Sequence, residues 1–254
     1  MRTVKLTIEY DGTNYCGWQS QKNGVSIQET IRKTIHTMTD EDATLVGSSR
    51  TDAGVHALGQ VAHFRTKAPV PCKGFLKGLN SLLPRDIRIL DVQDVSANFH
   101  SLRDARGKHY RYIISTNSVP SAFFHSRVWH VHQSINIEGM KKSAKMLVGK
   151  HDFSAFKAAG SHVKDAVRTI HSVEIRRMGR SLKGIPCPVS GIAIDVLGDG
   201  FVRHMIRNIA GWLVEAGRGR ISLDEARRIF KGKKRTEAGV CAPASGLYLM
   251  KVFY

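Results

Sequence analysis

The sequence predicts an α+β protein with helices packed on mainly antiparallel sheets, and two observations carry that expectation. The first hundred residues run strand, helix, strand, polar loop, strand, helix, strand with short connections, and the remainder repeats the theme without visible sequence repetition. A chain of 254 residues holds one large domain or two of about 100 to 150. With 42% hydrophobic and 24% charged residues it has the composition of a soluble globular protein.

Val4, Leu6, Ile8 and Tyr10 alternate with Lys5, Thr7 and Glu9, the pattern of a strand with one buried face, and Asp11 to Asn14 end it. Ser26-Ile27-Gln28-Glu29 reads as a capping box, and Ile27, Ile31, Ile35 and Met38 follow on one helical face. Ala43 to Val46 reads as a short strand entering a polar loop and Leu58 to Phe64 as the strand leaving it. A helix fits Lys73 to Leu83, stopped by Pro84, and a strand fits Ile87 to Val95. The chain turns polar and basic near Ser101 to Gly107, which places a join there and divides it into halves 1–102 and 103–254.

In the second half, Lys108 to Ile114 alternates as a strand, and Ile137, Met140, Ala144 and Leu147 make a helical stripe closed by Gly149. Thr169 to Met178 and Gly191 to Leu197 read as a hairpin pair joined by the Gly- and Pro-bearing stretch Gly179 to Ser190. After the turn Gly198-Asp199-Gly200 a helix is expected, apolar at Met205, Ile206, Ile209, Trp212 and Leu213, with Arg203 and Arg207 four apart on a common face. Ser222-Leu223-Asp224-Glu225 is a second capping box, and Leu247 to Phe253 a closing strand.

Composition narrows the function. No apolar run approaches the ~20 residues of a membrane span, and the alternating start lacks the apolar region of a signal peptide, so no membrane is expected and the location is cytoplasmic. The four cysteines, Cys16, Cys72, Cys187 and Cys241, are scattered without a C-x-x-C pair and read as reduced packing thiols. Thirty-nine Lys and Arg against twenty-one Asp and Glu give +18, which points to a polyanionic partner. Nucleic acid is favoured, because no long helix combines a basic face with a bulky apolar one. The densest basic stretch, residues 218–235 with Arg218, Arg220, Arg227, Arg228, Lys231, Lys233, Lys234 and Arg235, reads as helical and as a candidate phosphate-contacting surface.

The chemistry concentrates between Gly47 and Phe64, where guanidinium, carboxylate, hydroxyl and imidazole groups share a run punctuated by glycines. Gly47 and Gly54 allow a tight loop, and Arg50 and Asp52, two apart in extended chain, point the same way. The competing reading is a surface loop with a solvated ion pair. No phosphate loop, G-x-G-x-x-G or H-E-x-x-H is present, so nucleotide cofactors and metal are not expected; Asp52 with His56 supplies too few ligands. Asp152 belongs to a site or to a helix start.

A lone carboxylate can act as nucleophile or proton acceptor if a cation keeps it ionised. Arg207, with Arg203 as substitute, is the supplier expected from the other half, which puts the site in a cleft between halves. Tyr110 is the aromatic expected to cover a base, stacking being worth ~1 to 3 kcal/mol. A non-catalytic RNA-binding module and a metal-dependent nuclease using Asp52 with His56 or Asp152 are the alternatives.

Five stretches in order carry a family resemblance. Gly47 to Ala57 with Gly59 to Phe64 resembles the signature loop of the tRNA pseudouridine synthase A (TruA) family, and Tyr10 to Gln19 is similar to that family's first strand and turn. Gly107 to Tyr112 resembles its tyrosine motif, Phe201 to Ile209 its arginine helix, and Ala242 to Leu249 its C-terminal motif. The resemblance implies isomerisation of uridine to pseudouridine at positions 38, 39 and 40 of the tRNA anticodon stem-loop, without metal or small-molecule cofactor. It makes Asp52 the catalytic carboxylate, which attacks the ribose, attacks the base or takes a ribose proton. It has Arg50 hold the target nucleotide out of its stack, Tyr110 stack on the uracil, Arg207 pair with Asp52, and Leu247 line the pocket. Arg203, Arg218 and Arg220 are left as RNA-contacting candidates. It also implies two ferredoxin-like or RRM-like halves, whose sheets meet at a central basic cleft, and a homodimer in which one tRNA touches both subunits. One departure stands out: the loop reads Gly47-Ser48-Ser49 where Gly-Ala-Gly or a similar small pair is usual, a change small enough for the loop to survive.

Overall fold

Val4, Leu6 and Ile8 are fully buried and Tyr10 nearly so, while the residues between them are mostly half-exposed, which is the one-faced strand the alternation predicts. The computed structural model describes residues 1–254 except 23, 162–164, 179–189 and 233. The chain runs β1 (Arg2–Tyr10), α1 (Ile27–Thr39), β2 (Val46–Gly47), β3 (His56–Thr66), α2 (Cys72–Leu82), β4 (Ile87–Val95) and β5 (Gly107–Ser115). It continues with β6 (Trp129–His130), α3 (Ile137–Ala144), β7 (Gly149–Asp152), β8 (Val167–Met178), β9 (Gly191–Gly198), α4 (Met205–Gly217), α5 (Leu223–Gly232) and β10 (Leu247–Phe253). The fold is α+β, and its strand pairs are mostly antiparallel. Two units are distinguished: unit 1 is Met1–Arg106 with Tyr248–Tyr254, and unit 2 is Gly107–Leu247.

In unit 1 the strand order is β4-β1-β3-β10, with β2 paired to β3. β1 is antiparallel to both neighbours, with Leu6 opposite Ala62 on one side and Val92 on the other. Tyr10 lies opposite Ala57, so the turn leaving β1 and the loop entering β3 emerge side by side. β10 joins in parallel, Tyr248 opposite His56. The helices supply Ile27, Ile31, Ile35, Phe75 and Leu79 to the core, and Phe64 meets Phe75 edge-on at 5.4 Å. Ser26 caps α1 by accepting from the Glu29 N–H at 3.2 Å; the Glu29 carboxylate, the expected second arm of the box, instead accepts from Arg32 Nε and Nη2 at 3.0 and 2.9 Å.

In unit 2 the order is β5-β9-β8-β7, with the short β6 parallel to β5. Phe153, Phe156, Met140, Leu147 and Trp212 are fully buried, and Phe156 meets Trp212 at 5.5 Å. The capping box of α5 closes in both directions: Ser222 Oγ accepts from Glu225 N at 3.2 Å and Glu225 Oε2 accepts from Ser222 N at 2.9 Å. Asp152 ends β7 and accepts from both the N–H and the hydroxyl of Ser154, just before the short 3-10 turn Ser154–Phe156.

Three expectations are corrected. The strand at Ala43 to Val46 shrinks to Val46–Gly47, because only those residues find ladder partners, His63 and Ala62, on β3. Arg203 precedes α4: His204 takes a left-handed conformation with φ 64°, so the helix starts at Met205 and Arg203 does not share its face with Arg207. Within 218–235, the α-helix covers Leu223–Gly232 alone, followed by a 3-10 turn at Arg235–Glu237. The expected hairpin pairing of β8 with β9 is present, whereas residues 179–189 of its connection, Cys187 and Lys233 lie outside the described residues. Cys16, Cys72 and Cys241 are free thiols, all half-buried.

Candidate active site

Loop 48–55 hangs between β2 and β3, and the turn leaving β1 forms its support. Tyr10 Oη and Thr51 Oγ1 lie 2.8 Å apart in a buried hydrogen bond, and the Thr51 carbonyl accepts from Trp18 N at 3.1 Å. Two glycines let the backbones approach. A Cβ on Gly12 would stand 2.0 Å from the Val55 carbonyl oxygen, and one on Gly17 would stand 2.5 Å from that of Thr51, at a φ of +105° that L side chains avoid. The loop closes on itself where Val55 N donates to the Asp52 carbonyl at 3.1 Å, Gly54 taking φ 76°.

Below the loop, Ser48 and Gln60 are fully buried. Ser48 Oγ donates to Gln60 Oε1 at 2.8 Å, and Gln60 Nε2 donates to the Ser49 carbonyl at 2.8 Å. The Gly-Ser-Ser departure is thereby accommodated, since the added hydroxyl at residue 48 has an acceptor and is not stranded in the core. Asp52 sits half-buried on this frame, and Arg50 is exposed beside it in sequence. His56, opening β3, is 2% exposed; its Nδ1 lies 3.1 Å from Asp11 Oδ1 and accepts from Gly12 N at 3.1 Å, and its ring stacks on Tyr248 at 4.8 Å.

Unit 2 holds the other candidates. Tyr110 is buried on β5, its ring edge-on to Phe201 at 5.3 Å. Its neighbours His109 and Arg111, on the opposite face of the strand, converge on Asp195 of β9: His109 Nε2 lies 2.6 Å away, and Arg111 Nε and Arg176 Nη2 donate at 2.8 and 2.9 Å. Burial pushes the Asp195 carboxyl up, but these donors outweigh it and hold the group below the usual carboxylate range. On Tyr110's own side of the strand, burial and the nearby Arg168 push the Lys108 ammonium down to about 8.

Arg207, in the first turn of α4, is half-buried and donates from Nε to the Ala242 carbonyl at 2.8 Å, while its own carbonyl accepts from Ala242 N at 3.2 Å. Tyr112 Oη donates to the Pro243 carbonyl at 2.7 Å. Together they fix the segment that delivers the buried Leu247. Arg203 is exposed in the turn before α4. Arg218 and Arg220 both bind Glu215, at 3.0 and 3.2 Å, so one carboxylate offsets part of their combined charge.

The supporting frame of Tyr10, Gly12, Gly17, Trp18 and Gln60, and the Asp11–His56 contact, were not identified as site residues from the sequence. Two glycines, Gly12 and Gly17, flanked by the aromatics Tyr10 and Trp18 were the available signal. Among the described residues no cluster of three or more His, Cys, Asp or Glu side chains could hold a metal ion, and no helix is long and apolar enough to cross a membrane.

Comparison with known proteins gives one consistent result. A family model described as tRNA pseudouridine synthase matches residues 6–102 and 143–254. The chain is 46% identical over 254 residues to a tRNA pseudouridine synthase A of Acetivibrio thermocellus, covering 100% of both chains. It is 43% identical, again over 100% of both chains, to proteins of the same name from Thermoanaerobacter sp. and Ruminiclostridium cellulolyticum.

Proposed function

The chain belongs to the tRNA pseudouridine synthase family, and on that footing we propose that it isomerises uridine at positions 38, 39 and 40 of the tRNA anticodon stem-loop, with Asp52 as the catalytic carboxylate and no cofactor. Pseudouridine synthases are isomerases: the bond from ribose C1′ to uracil N1 breaks, a bond from C1′ to C5 forms, C5 loses a proton and N1 gains one. Whether Asp52 attacks the ribose, attacks the base or removes a ribose proton, it must be ionised and held still.

The observation that carries the assignment is the bracing of the Asp52 loop by residues 10–18, a frame that a solvated turn does not need. The motif resemblance supports the remaining roles. Arg50 keeps the target nucleotide out of its stack, a step costing a few kcal/mol for a paired base. Tyr110 stacks on the uracil, Arg207 supplies a guanidinium to the reaction, and Leu247 contacts the base. The excess of basic residues supports Arg203, Arg218 and Arg220 as contacts to RNA phosphates. The family resemblance supports a homodimer with one tRNA touching both subunits, and the proposed location is cytoplasmic.

Asp52→Asn and Asp52→Ala test the core of this reading. Each variant binds tRNA but releases no tritium from tRNA labelled at uracil C5, and pseudouridine mapping of tRNA treated with the wild-type dimer finds the product at 38, 39 and 40. Turnover near wild type in either variant overturns the mechanism.

A further inference from the structure

His56 is buried where a purely apolar ring would fill the space equally well. It packs on Tyr248 with ring centroids 4.8 Å apart and planes at 26°, and only 2% of its surface is exposed. What an apolar ring lacks is Nδ1, which lies 3.1 Å from Asp11 Oδ1 and 3.1 Å from Gly12 N. With the ring proton on Nε2, Nδ1 accepts from the Gly12 N–H; with the proton on Nδ1, it donates to the Asp11 carboxylate. Either way the nitrogen ties the turn after β1 to the first residue of β3. Asp11 is itself oriented, since its Oδ1 accepts from Thr13 N at 3.0 Å and from the Thr13 hydroxyl.

The tie leads toward Asp52 through backbone contacts. Gly12 lies so close to the Val55 carbonyl that a Cβ would come within 2.0 Å of its oxygen, and Val55 N donates to the Asp52 carbonyl at 3.1 Å. A shift of the turn at Gly12 is therefore passed to Val55, and from Val55 to the backbone of Asp52. Misplacing a reacting group by about 1 Å can cost ~10²-fold in rate. We propose that Asp11 and His56 are positioning residues for Asp52, which set the pitch of its loop through Gly12 and Val55 without touching the substrate. The inference rests on Asp52 being the catalytic carboxylate.

The test uses the full-length protein, with turnover read as C5 tritium release at saturating tRNA, affinity read as tRNA Kd, and folding read by thermal melt. His56→Phe keeps the stack on Tyr248 and removes the nitrogen; kcat falls by about 10²-fold while tRNA Kd changes little. His56→Asn restores a polar atom near the position of Nδ1 and recovers most of the lost kcat, a rescue that simple filling of the core does not predict. Wild-type kcat in His56→Phe, a loss confined to KM or Kd, or no advantage of Asn over Phe overturns the proposal. Should His56→Phe not fold, Asp11→Ala decides, because it removes the carboxylate oxygen that faces both His56 Nδ1 and the Thr13 donors. A lowered kcat at unchanged Kd supports the proposal, and wild-type kcat overturns it. Asp52→Ala runs alongside: if it too turns over normally, the functional reading fails, whereas an inactive Asp52→Ala beside a fully active His56→Phe removes only the positioning role.

Discussion

His63 shows how one buried imidazole makes stability depend on pH. It sits on β3 at 6% exposure and accepts at Nδ1 from Ser101 N at 3.2 Å, a bond that only a deprotonated nitrogen can make. Burial is the main reason its pKa falls from 6.5 to about 4; His100, Arg65 and Arg103 add to the effect and Asp104 opposes it. Between those values the unfolded chain binds a proton that the folded chain refuses, so this contribution to stability is full above pH 6.5 and is lost as pH falls toward 4. Urea midpoints measured from pH 7 down to pH 4 should drop for the wild type, and His63→Gln should remove that part of the slope while lowering stability at pH 7 through lost packing. Parallel curves for the two proteins would show that His63 is not the group responsible. Asp52 stood out in the sequence because its polar neighbours are adjacent to it in the chain. The contacts of His63 with Ser101 and of Asp11 with His56 were not legible, since each joins segments distant in sequence, the first through a turn after β4 and the second through the pairing of β1 with β3.

Among the elements, helix starts were legible where a local hydrogen bond sets them. Ser222 and Glu225 of α5 close both arms of their capping box, and Ser222→Ala should cost ~0.5 to 2 kcal/mol of local stability. Hydrogen exchange of the α5 amides reads this directly, as faster exchange in the first turns of that helix; unchanged protection would mean that packing of Ala226 and Ile229 alone holds it. The same four-residue pattern at Ser26 gives only half a box, because Arg32, one turn along, competes for Glu29. Strand length was less legible than strand existence. Ala43 and Leu45 alternate and are buried, yet the ladder takes only Val46 and Gly47, and no pattern within the segment says where its partner ends. The start of α4 was misread for a related reason: a left-handed His204 is a single backbone choice that the apolar stripe beyond it does not reveal.

For the whole molecule, periodicity shows which face of a strand is buried but not which strand lies beside it. The closing strand was legible, whereas its parallel pairing with β3, which sets Tyr248 against His56, depends on contacts at opposite ends of the sequence. Charge is legible in total and less so in distribution. Of the +18, part is already spent internally: Glu215 serves both Arg218 and Arg220, and Asp195 serves Arg111 and Arg176 with His109. A cation held by a carboxylate releases fewer counterions from RNA than one facing solvent, because breaking or sharing its ion pair offsets the gain. Arg228 and Lys231 on α5 are exposed, so if the basic stretch contacts phosphates they should dominate its salt response. Binding of tRNA to the wild type should weaken steeply as salt rises, and Arg228→Gln or Lys231→Gln should each lower the log-log slope by about one unit. Arg218→Gln and Arg220→Gln should lower it by less, since each frees Glu215 for the other arginine. A wild-type affinity flat in salt would remove the basic surface as an RNA contact, and equal slope changes at all four positions would show that Glu215 releases both arginines when RNA binds.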